Sequence, residues 1–436
     1  MQRAAVIAIM ALVLCACVVS DPDVESVGEA VVPAPLDDAV NPSTSLTPTT
    51  LITTTVTTSP PTQTETLLNE LAARSAQPTR VGLVAHLASR HPEGRTIDLI
   101  HQDERLELAV IFAPEHGLTG TADAGELLED GFESVTGVPV LSLYGARRAP
   151  RLDDLAALDV VVYDLQDVGV RAYTYIATLG LVMEAAGRAG VPVVVVDRSN
   201  PQGAVVDGPV LADGLESFIS PYPIPAAYGL TSGELARMVA KESWIDGTVD
   251  LTVIGPTAEL NNPWIPPSPN LPTLESTWLY PALVAFEATT LSVGRGTDEP
   301  FTVIGGPGVD VDRIMSGKDN RQLLGLDLTA TNFVPRSIEG MAKNPKHEGT
   351  ELRGIHFSTG APLPEPLRVA VELLDAFMDA SPDRAALIDR PDVFDRLIGS
   401  PQIREALLAD TAPSDIAELW ENDVTDFRRL SDTYRN

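Results

Sequence analysis

Six short apolar runs, at 81–85, 108–113, 139–143, 160–164, 192–197 and 250–254, recur along the chain. Several are apolar throughout rather than alternating, as in Val160-Val161-Val162-Tyr163, the pattern of strands covered on both faces. Helix-period segments at 178–189 and 232–241 lie among them. Strand and helix in alternation imply a parallel sheet with right-handed crossovers. The pattern therefore predicts an α/β fold, a Rossmann-like doubly wound parallel sheet over 67–300. No Gly-rich dinucleotide fingerprint follows the first run, so nucleotide binding is not implied. Beyond Pro300 the pattern changes: Gly305-Gly306-Pro307-Gly308 reads as a loop, and 367–379 and 383–388 read as helices. A smaller α+β C-terminal domain is expected over 301–436.

Ahead of the first run the composition differs. Arg3 precedes an apolar stretch at 4–14 that is too short to span a membrane and has the shape of a signal peptide. It ends in Leu14-Cys15-Ala16-Cys17, which resembles the lipobox of bacterial lipoproteins and makes Cys17 the expected lipid attachment site. From Asp21 to about Thr66 the chain turns to Thr, Pro, Ser and acidic residues, with too little apolar surface to offset chain entropy. The reading is a signal segment over 1–17 and a disordered tether over 18–66. An exported protein is expected, held on the outer face of the membrane as a lipoprotein or released to the cell wall. Contact with the membrane would come only through the anchor.

Charge and cysteine content narrow the chemistry. The 436 residues carry a formal charge of −31, which argues against nucleic acid, because phosphate binding needs a basic surface that releases counterions. Cys15 and Cys17 are the only cysteines, so the folded body has no disulfide, zinc–cysteine cluster or thiol nucleophile.

Ligands of open parallel sheets bind outside the carboxyl ends of the strands, so the polar residues that follow each strand are the candidates. The second run ends in Pro114-Glu115-His116-Gly117, the fourth in Asp164-Leu165-Gln166-Asp167 followed by Arg171, Tyr173 and Tyr175, and the fifth in Asp197-Arg198-Ser199-Asn200. Parallel strands would bring all three sets to one edge. Glu115, partly desolvated on a sharp strand exit, suits protonation of a leaving oxygen, the competing role being a helix cap or a partner for an arginine. His116 reads as an orienting group or a base, and Asp164 as a second catalytic carboxylate or a loop buttress. Arg171, Arg198 and Arg295 could each grip a carboxylate or pair with one of the many acids. Trp264 to Pro272 is too proline-rich for a helix or central strand and should form a stiff loop presenting Asn270. Arg295 and Asp298 flank glycines that permit close backbone approach.

Taken in order, 112–117, Leu143-Tyr144-Gly145, 164–175, Asp197-Arg198 with Asn200-Pro201, Gly229 with Thr231 and Gly233-Glu234-Leu235-Ala236, 266–272 and 291–301 resemble the NamZ family of exo-β-N-acetylmuramidases. A weaker match runs through Trp420, Asp423 and Phe427 to Tyr434. The resemblance implies a Rossmann-like domain, a smaller C-terminal domain, and release of N-acetylmuramic acid from non-reducing ends of peptidoglycan fragments. It implies that Glu115 is catalytic and that Arg171, Tyr173 and Tyr175 belong to the pocket, with no metal, nucleotide or other cofactor. The expected partners are peptidoglycan-derived glycans and muropeptides.

For the second half of such a reaction Asp164, the substrate's own acetamido group and a tyrosine such as Tyr173 remain as alternatives. Gln166, Tyr175, Arg198, Asn200, Asn270, Arg295 and Asp298 join His116 and Arg171 as expected substrate contacts. Two departures stand out. Ala85-His86-Leu87-Ala88 replaces an Asn-x-Thr pattern at the first strand's end, and Ser199 replaces a proline.

Overall fold

The computed structural model describes residues 61–435 except Ala76, Ala124, 256–263, 317–321 and Leu324. Cys17, the signal segment and the tether up to residue 60 lie outside the described residues. The first helix, α1 (Gln63–Ala72), starts inside the stretch read as the tether's end. Thr62 and Glu65 close a reciprocal capping box there, satisfying two backbone donors that a helix start leaves open.

A seven-stranded sheet forms the centre: β1 (Thr79–Ala85), β2 (Leu106–Ala113), β3 (Gly131–Phe132), β4 (Pro139–Ser142), β5 (Val160–Asp164), β6 (Val193–Val196) and β7 (Leu251–Ile254). Its spatial order is β7-β6-β5-β1-β2-β4-β3, parallel throughout except for the short edge strand β3. The chain builds outward from β1 to β4, returns across β1, and builds the other way through β5 to β7. That is doubly wound topology with its switch point between β1 and β5. All five residues of β5 and all four of β6 are buried, which explains their unbroken apolar sequences.

Helices cover both faces. α1 and α2 (Thr96–Gln102) close one apolar cluster with Leu83, Val162 and Val196. α3 (Tyr175–Ala189) and α4 (Ser232–Lys241) close the other. This second cluster continues through α5 (Leu274–Leu283) into the C-terminal part. There β8 (Val303–Gly305), β9 (Gln322–Leu323), β10 (Leu326–Phe333) and β11 (Leu352–Ser358) form an antiparallel sheet ordered β8-β11-β10-β9.

Helices complete this smaller region, among them α6 (Pro366–Asp379), α7 (Pro391–Ile398), α8 (Pro401–Leu408), α9 (Pro413–Ala417) and α10 (Glu421–Ser431). The stretch read as a helix at 383–388 is one short 3₁₀ turn, Ala385–Leu387. Trp420 Nε1 donates to buried Asp207 at 2.9 Å and Val210 N–H to Asp423 at 3.0 Å, tying the last helices to the sheet domain.

Candidate active site

The β2 exit places the central carboxylate. Gly117 N–H donates to Pro114 C=O at 3.0 Å, and His116 and Gly117 both hold left-handed backbone, φ 69° and 72°. For a histidine that conformation costs energy, and such strain concentrates at working sites. The turn holds Glu115 in the lining of a cavity of about 210 Å³. Glu115 Oε1 accepts from Gly125 N–H at 2.8 Å, and Oε2 accepts from the Thr174 hydroxyl at 2.6 Å. Thr174 is the residue that starts α3, yet its side chain caps no helix donor and serves Glu115 instead.

His116 also lines the cavity, and its Nδ1 lies 2.9 Å from Ala122 C=O. A carbonyl only accepts, so that nitrogen carries the hydrogen and Nε2 is left as the acceptor. Burial lowers the His116 pKa, with Glu115 acting against it, so the ring is neutral at pH 7.

The walls are aromatic: Tyr144, Tyr173, Tyr280 and Phe301 line the same space. The Tyr173 and Tyr175 rings meet at 4.7 Å, and both hydroxyls donate to Pro267 C=O, at 2.8 and 3.0 Å. This pair anchors the proline-rich loop. The loop in turn presents Asn270, whose Nδ2 donates to Met341 C=O at 2.7 Å while its buried Oδ1 receives no hydrogen bond from the protein. Burial drives both tyrosine pKa values well above 10, so neither is a ready phenolate nucleophile.

Glu287 is the other carboxylate in this lining. Arg295 Nε donates to it at 2.7 Å, and the arginine stands over the Phe301 ring. Burial pushes the Glu287 pKa up, but Arg295, Lys346 and Arg390 outweigh it and the net shift is downward. Glu287, Arg295 and Arg390 also line a second space of about 530 Å³, so the two form one cleft.

Several expected contacts lie elsewhere. Asp164 is fully buried, ion-paired with Arg198 at 2.6 Å and bonded by the Thr96 hydroxyl, and it does not line the cleft. Arg198 also donates to Arg90 C=O at 2.9 Å. This pair fills the switch point between β1 and β5, the crevice where doubly wound folds usually bind ligands. The binding space is instead shifted over the β2 exit and the α3 start. Arg171 is enclosed, donating to the carbonyls of Pro209 at 2.9 Å and Ile224 at 2.5 Å, with Leu397 at 3.4 Å, and burial lowers its pKa to about 9.

Gln166 donates to the carbonyls of Asp167 and Ser199, and Asn200 ties the Gln202 amide to Leu230 C=O. Tyr175 sits behind Tyr173, outside the lining, and Asp298 is exposed and outside it as well. Asp197 accepts from Gly233 N–H at 2.7 Å and the Thr231 hydroxyl at 2.8 Å, fastening the α4 start. A Cβ on Gly233 would fall 2.6 Å from Asp197, so only glycine fits. The His86 departure also falls outside the lining. The ring is buried 5.9 Å from Tyr175, and its Nδ1 accepts from Ala88 N–H at 3.3 Å.

Thr174, Tyr280, Glu287, Lys346 and Arg390 were not singled out in the sequence reading. Thr174 lay within a motif already noticed, and its neighbours Tyr173 and Tyr175 gave the only signal. Glu287, Lys346 and Arg390 come from three segments with no pattern of their own.

An aromatic-walled cavity that carries Glu115 and Glu287 together in its lining suits a glycoside hydrolase. The chain belongs to the exo-β-N-acetylmuramidase NamZ family: the family's N-terminal model matches residues 81–275 and its C-terminal model 278–435. It is 34% identical over 366 residues to the peptidoglycan β-N-acetylmuramidase NamZ of Bacillus subtilis strain 168, covering 81% of this chain and 86% of that one. Two crystal structures of DUF1343-family proteins from Bacteroides fragilis share its fold. They have TM-scores of 0.73 and 0.69 at 32% and 30% identity, and each match covers 85% of this chain and 97% of the other.

Proposed function

We propose that the protein is an exo-acting glycosidase that releases N-acetylmuramic acid from the non-reducing ends of peptidoglycan fragments, with Glu115 as general acid. The observation that carries the assignment is the Glu115 carboxyl in the cleft wall, fixed through one oxygen by Gly125 N–H and through the other by Thr174. A carboxylic acid so oriented can protonate the glycosidic oxygen as the bond breaks and positive charge spreads over the sugar ring.

Glu287, kept ionised by its cationic neighbours, supplies negative charge on the same cavity. The unpaired Oδ1 of Asn270, a residue of the lining, suits the acetamido N–H of the sugar. Asp164 and Tyr173 drop out as the second group, because their polar atoms are engaged by Arg198 and Thr96 and by Pro267. Attack then falls to water or to the acetamido oxygen, and the anomeric form of the first sugar released selects between them.

Export and lipidation at Cys17 belong to the same reading, supported by the apolar run, the lipobox-like sequence and the Thr/Pro-rich tether. Loss of membrane association in Cys17→Ala would test the anchor.

The direct test incubates the full chain with defined fragments ending in either N-acetylmuramic acid or N-acetylglucosamine. Free N-acetylmuramic acid from the first set alone is expected. Binding of both sets without release of sugar would make this a cell-wall-binding protein instead.

A further inference from the structure

In a chain of net charge −31, one wall of the cleft is locally cationic. Arg295, Lys346 and Arg390 converge on the single residue Glu287. Arg295 takes its carboxylate at 2.7 Å, Lys346 Nζ donates to its carbonyl at 2.8 Å and to Thr289 C=O, and Arg390 Nη2 donates to the same Glu287 carbonyl. The other acids beside them are Asp389, 4.0 Å from Arg390 Nε with its side chain 42% exposed at the rim, and Glu115, which acts on Arg295. Farther along the same space Asp123 and Glu126 hold Lys343 at 3.3 and 3.1 Å, so of the three cations only Arg295 is hydrogen-bonded to a carboxylate.

Two of the three are bonded mainly to neutral carbonyls, which orient a cation without cancelling its charge. The Lys346 ammonium has three donors and uses two; the Arg390 guanidinium has five and uses one at hydrogen-bond distance. Burial, with a smaller push from the neighbouring arginines, lowers the Lys346 pKa against the pull of Glu287 and Asp389. Lys346 and Arg390 both line the larger space, and Arg390 also lines the smaller one beside Glu115.

We infer that Lys346 and Arg390, with Arg295 behind them, form a carboxylate-binding subsite that receives the free lactyl carboxylate of the terminal sugar. The inference rests on the muramidase reading and names the residues that would read the group distinguishing muramic acid from glucosamine. Of the three arginines expected from the sequence to grip a carboxylate, Arg295 stays in the lining, whereas Arg171 and Arg198 are buried outside it. A carboxylate arriving there gains charge-assisted hydrogen bonds from donors already positioned. An uncharged analogue leaves those donors unpaired.

The test uses the full chain as wild type, Arg390→Gln and Lys346→Met. Each is assayed on a chromogenic β-N-acetylmuraminide, on its lactyl methyl ester and on the matching β-N-acetylglucosaminide. Calorimetry of free N-acetylmuramic acid and its methyl ester runs in parallel. Wild type should prefer the acid over the ester by about 10- to 100-fold in kcat/KM, mostly through KM. Arg390→Gln should lose most of that preference by weakening the acid far more than the ester; a smaller loss common to both reports its share in keeping Glu287 ionised. The Arg390 side chain is 46% exposed, so this variant decides the matter even if Lys346→Met fails to fold.

Equal handling of acid and ester by wild type, or an equal loss on both in Arg390→Gln, overturns the subsite. If wild type cleaves none of the three but binds the acid over the ester, and Arg390→Gln does not, the subsite stands and the hydrolase reading falls.

Discussion

The hydroxyl of Thr174 lies 2.6 Å from Oε2 of Glu115, joining the residue that opens α3 to the carboxylate at the β2 exit. The contact gives the acid one orientation within the cleft, and it spends a helix-start threonine that would ordinarily cap its own helix. Removing it should act on turnover rather than on affinity. Thr174→Val should lower kcat about 10- to 100-fold, in line with the roughly 1.5–3 kcal/mol of a hydrogen bond to a charged group, with KM moving little. Thr174→Ser, which keeps the hydroxyl, should restore most of the loss. Wild-type kcat in Thr174→Val would mean the contact does not position the acid.

Asp164 offers the opposite case. It is buried with Arg198 at the β1/β5 switch point, so Asp164→Asn leaves a guanidinium without its counter-charge, at a cost of about 3–5 kcal/mol. Urea denaturation should show a lowered midpoint, while kcat/KM per folded molecule stays near wild type at a permissive temperature. A variant that unfolds like wild type but has lost turnover would return Asp164 to the catalytic group.

Asn270 is fixed by Met341 and presents an unused acceptor. Asn270→Ala should raise KM about tenfold on 2-acetamido substrates, the loss expected when a hydrogen bond to a bound ligand is removed. On an analogue with hydroxyl in place of acetamido the variant and wild type should differ by less than about twofold. Equal losses on both substrates would assign Asn270 to holding the loop alone.

His86 should govern stability in acid. Burial, reinforced by His116, lowers its pKa from 6.5 to about 3 in the folded protein. Between those values the unfolded chain takes up a proton that the folded chain refuses. Its contribution is therefore intact above pH 6.5 and declines by about 1.4 kcal/mol per unit as pH falls toward 3. Asp167 works the other way: burial raises its pKa to about 6, so its protonated form favours the fold below 3.8 and that contribution is lost as pH rises through 6. The difference between wild type and His86→Asn isolates the histidine. The pH dependence of the denaturation midpoint should be flatter in the variant below pH 6.5, and parallel curves would contradict the assignment.

The sheet was legible because burial on both faces leaves an unmistakable trace. The run at 160–164 coincides with β5, and the other five overlap β1, β2, β4, β6 and β7 to within two residues at each end. The segment at 232–241 coincides with α4, whose capping box and apolar stripe are both local. The α+β character of the C-terminal part was expected, but none of its strands was placed. β10 alternates weakly, with Asp327, Thr329 and Ala330 exposed, and its pairing with β11 is remote in sequence.

At the site, the residues following strands divided in a way that sequence alone does not reveal. Glu115, His116, Tyr173, Asn270 and Arg295 meet in the cleft, whereas Gln166, Asp164, Arg171, Arg198 and Asn200 hold the loops that shape it. Both kinds are polar and at least half-buried. What separates them is whether the folded chain leaves the side chain in the cleft lining, and the partners that draw the others away lie 30 to more than 200 residues off in the chain.

The central claim is that Glu115 donates the proton to the leaving oxygen, and Glu115→Gln tests it with the least change of shape. With wild type and variant at equal folded concentration, turnover of a chromogenic β-N-acetylmuraminide is followed at saturating substrate. The account predicts a fall in kcat of about 10²- to 10⁴-fold, the usual worth of general acid catalysis, with the sugar still bound. A variant that retains kcat within about threefold of wild type would contradict it.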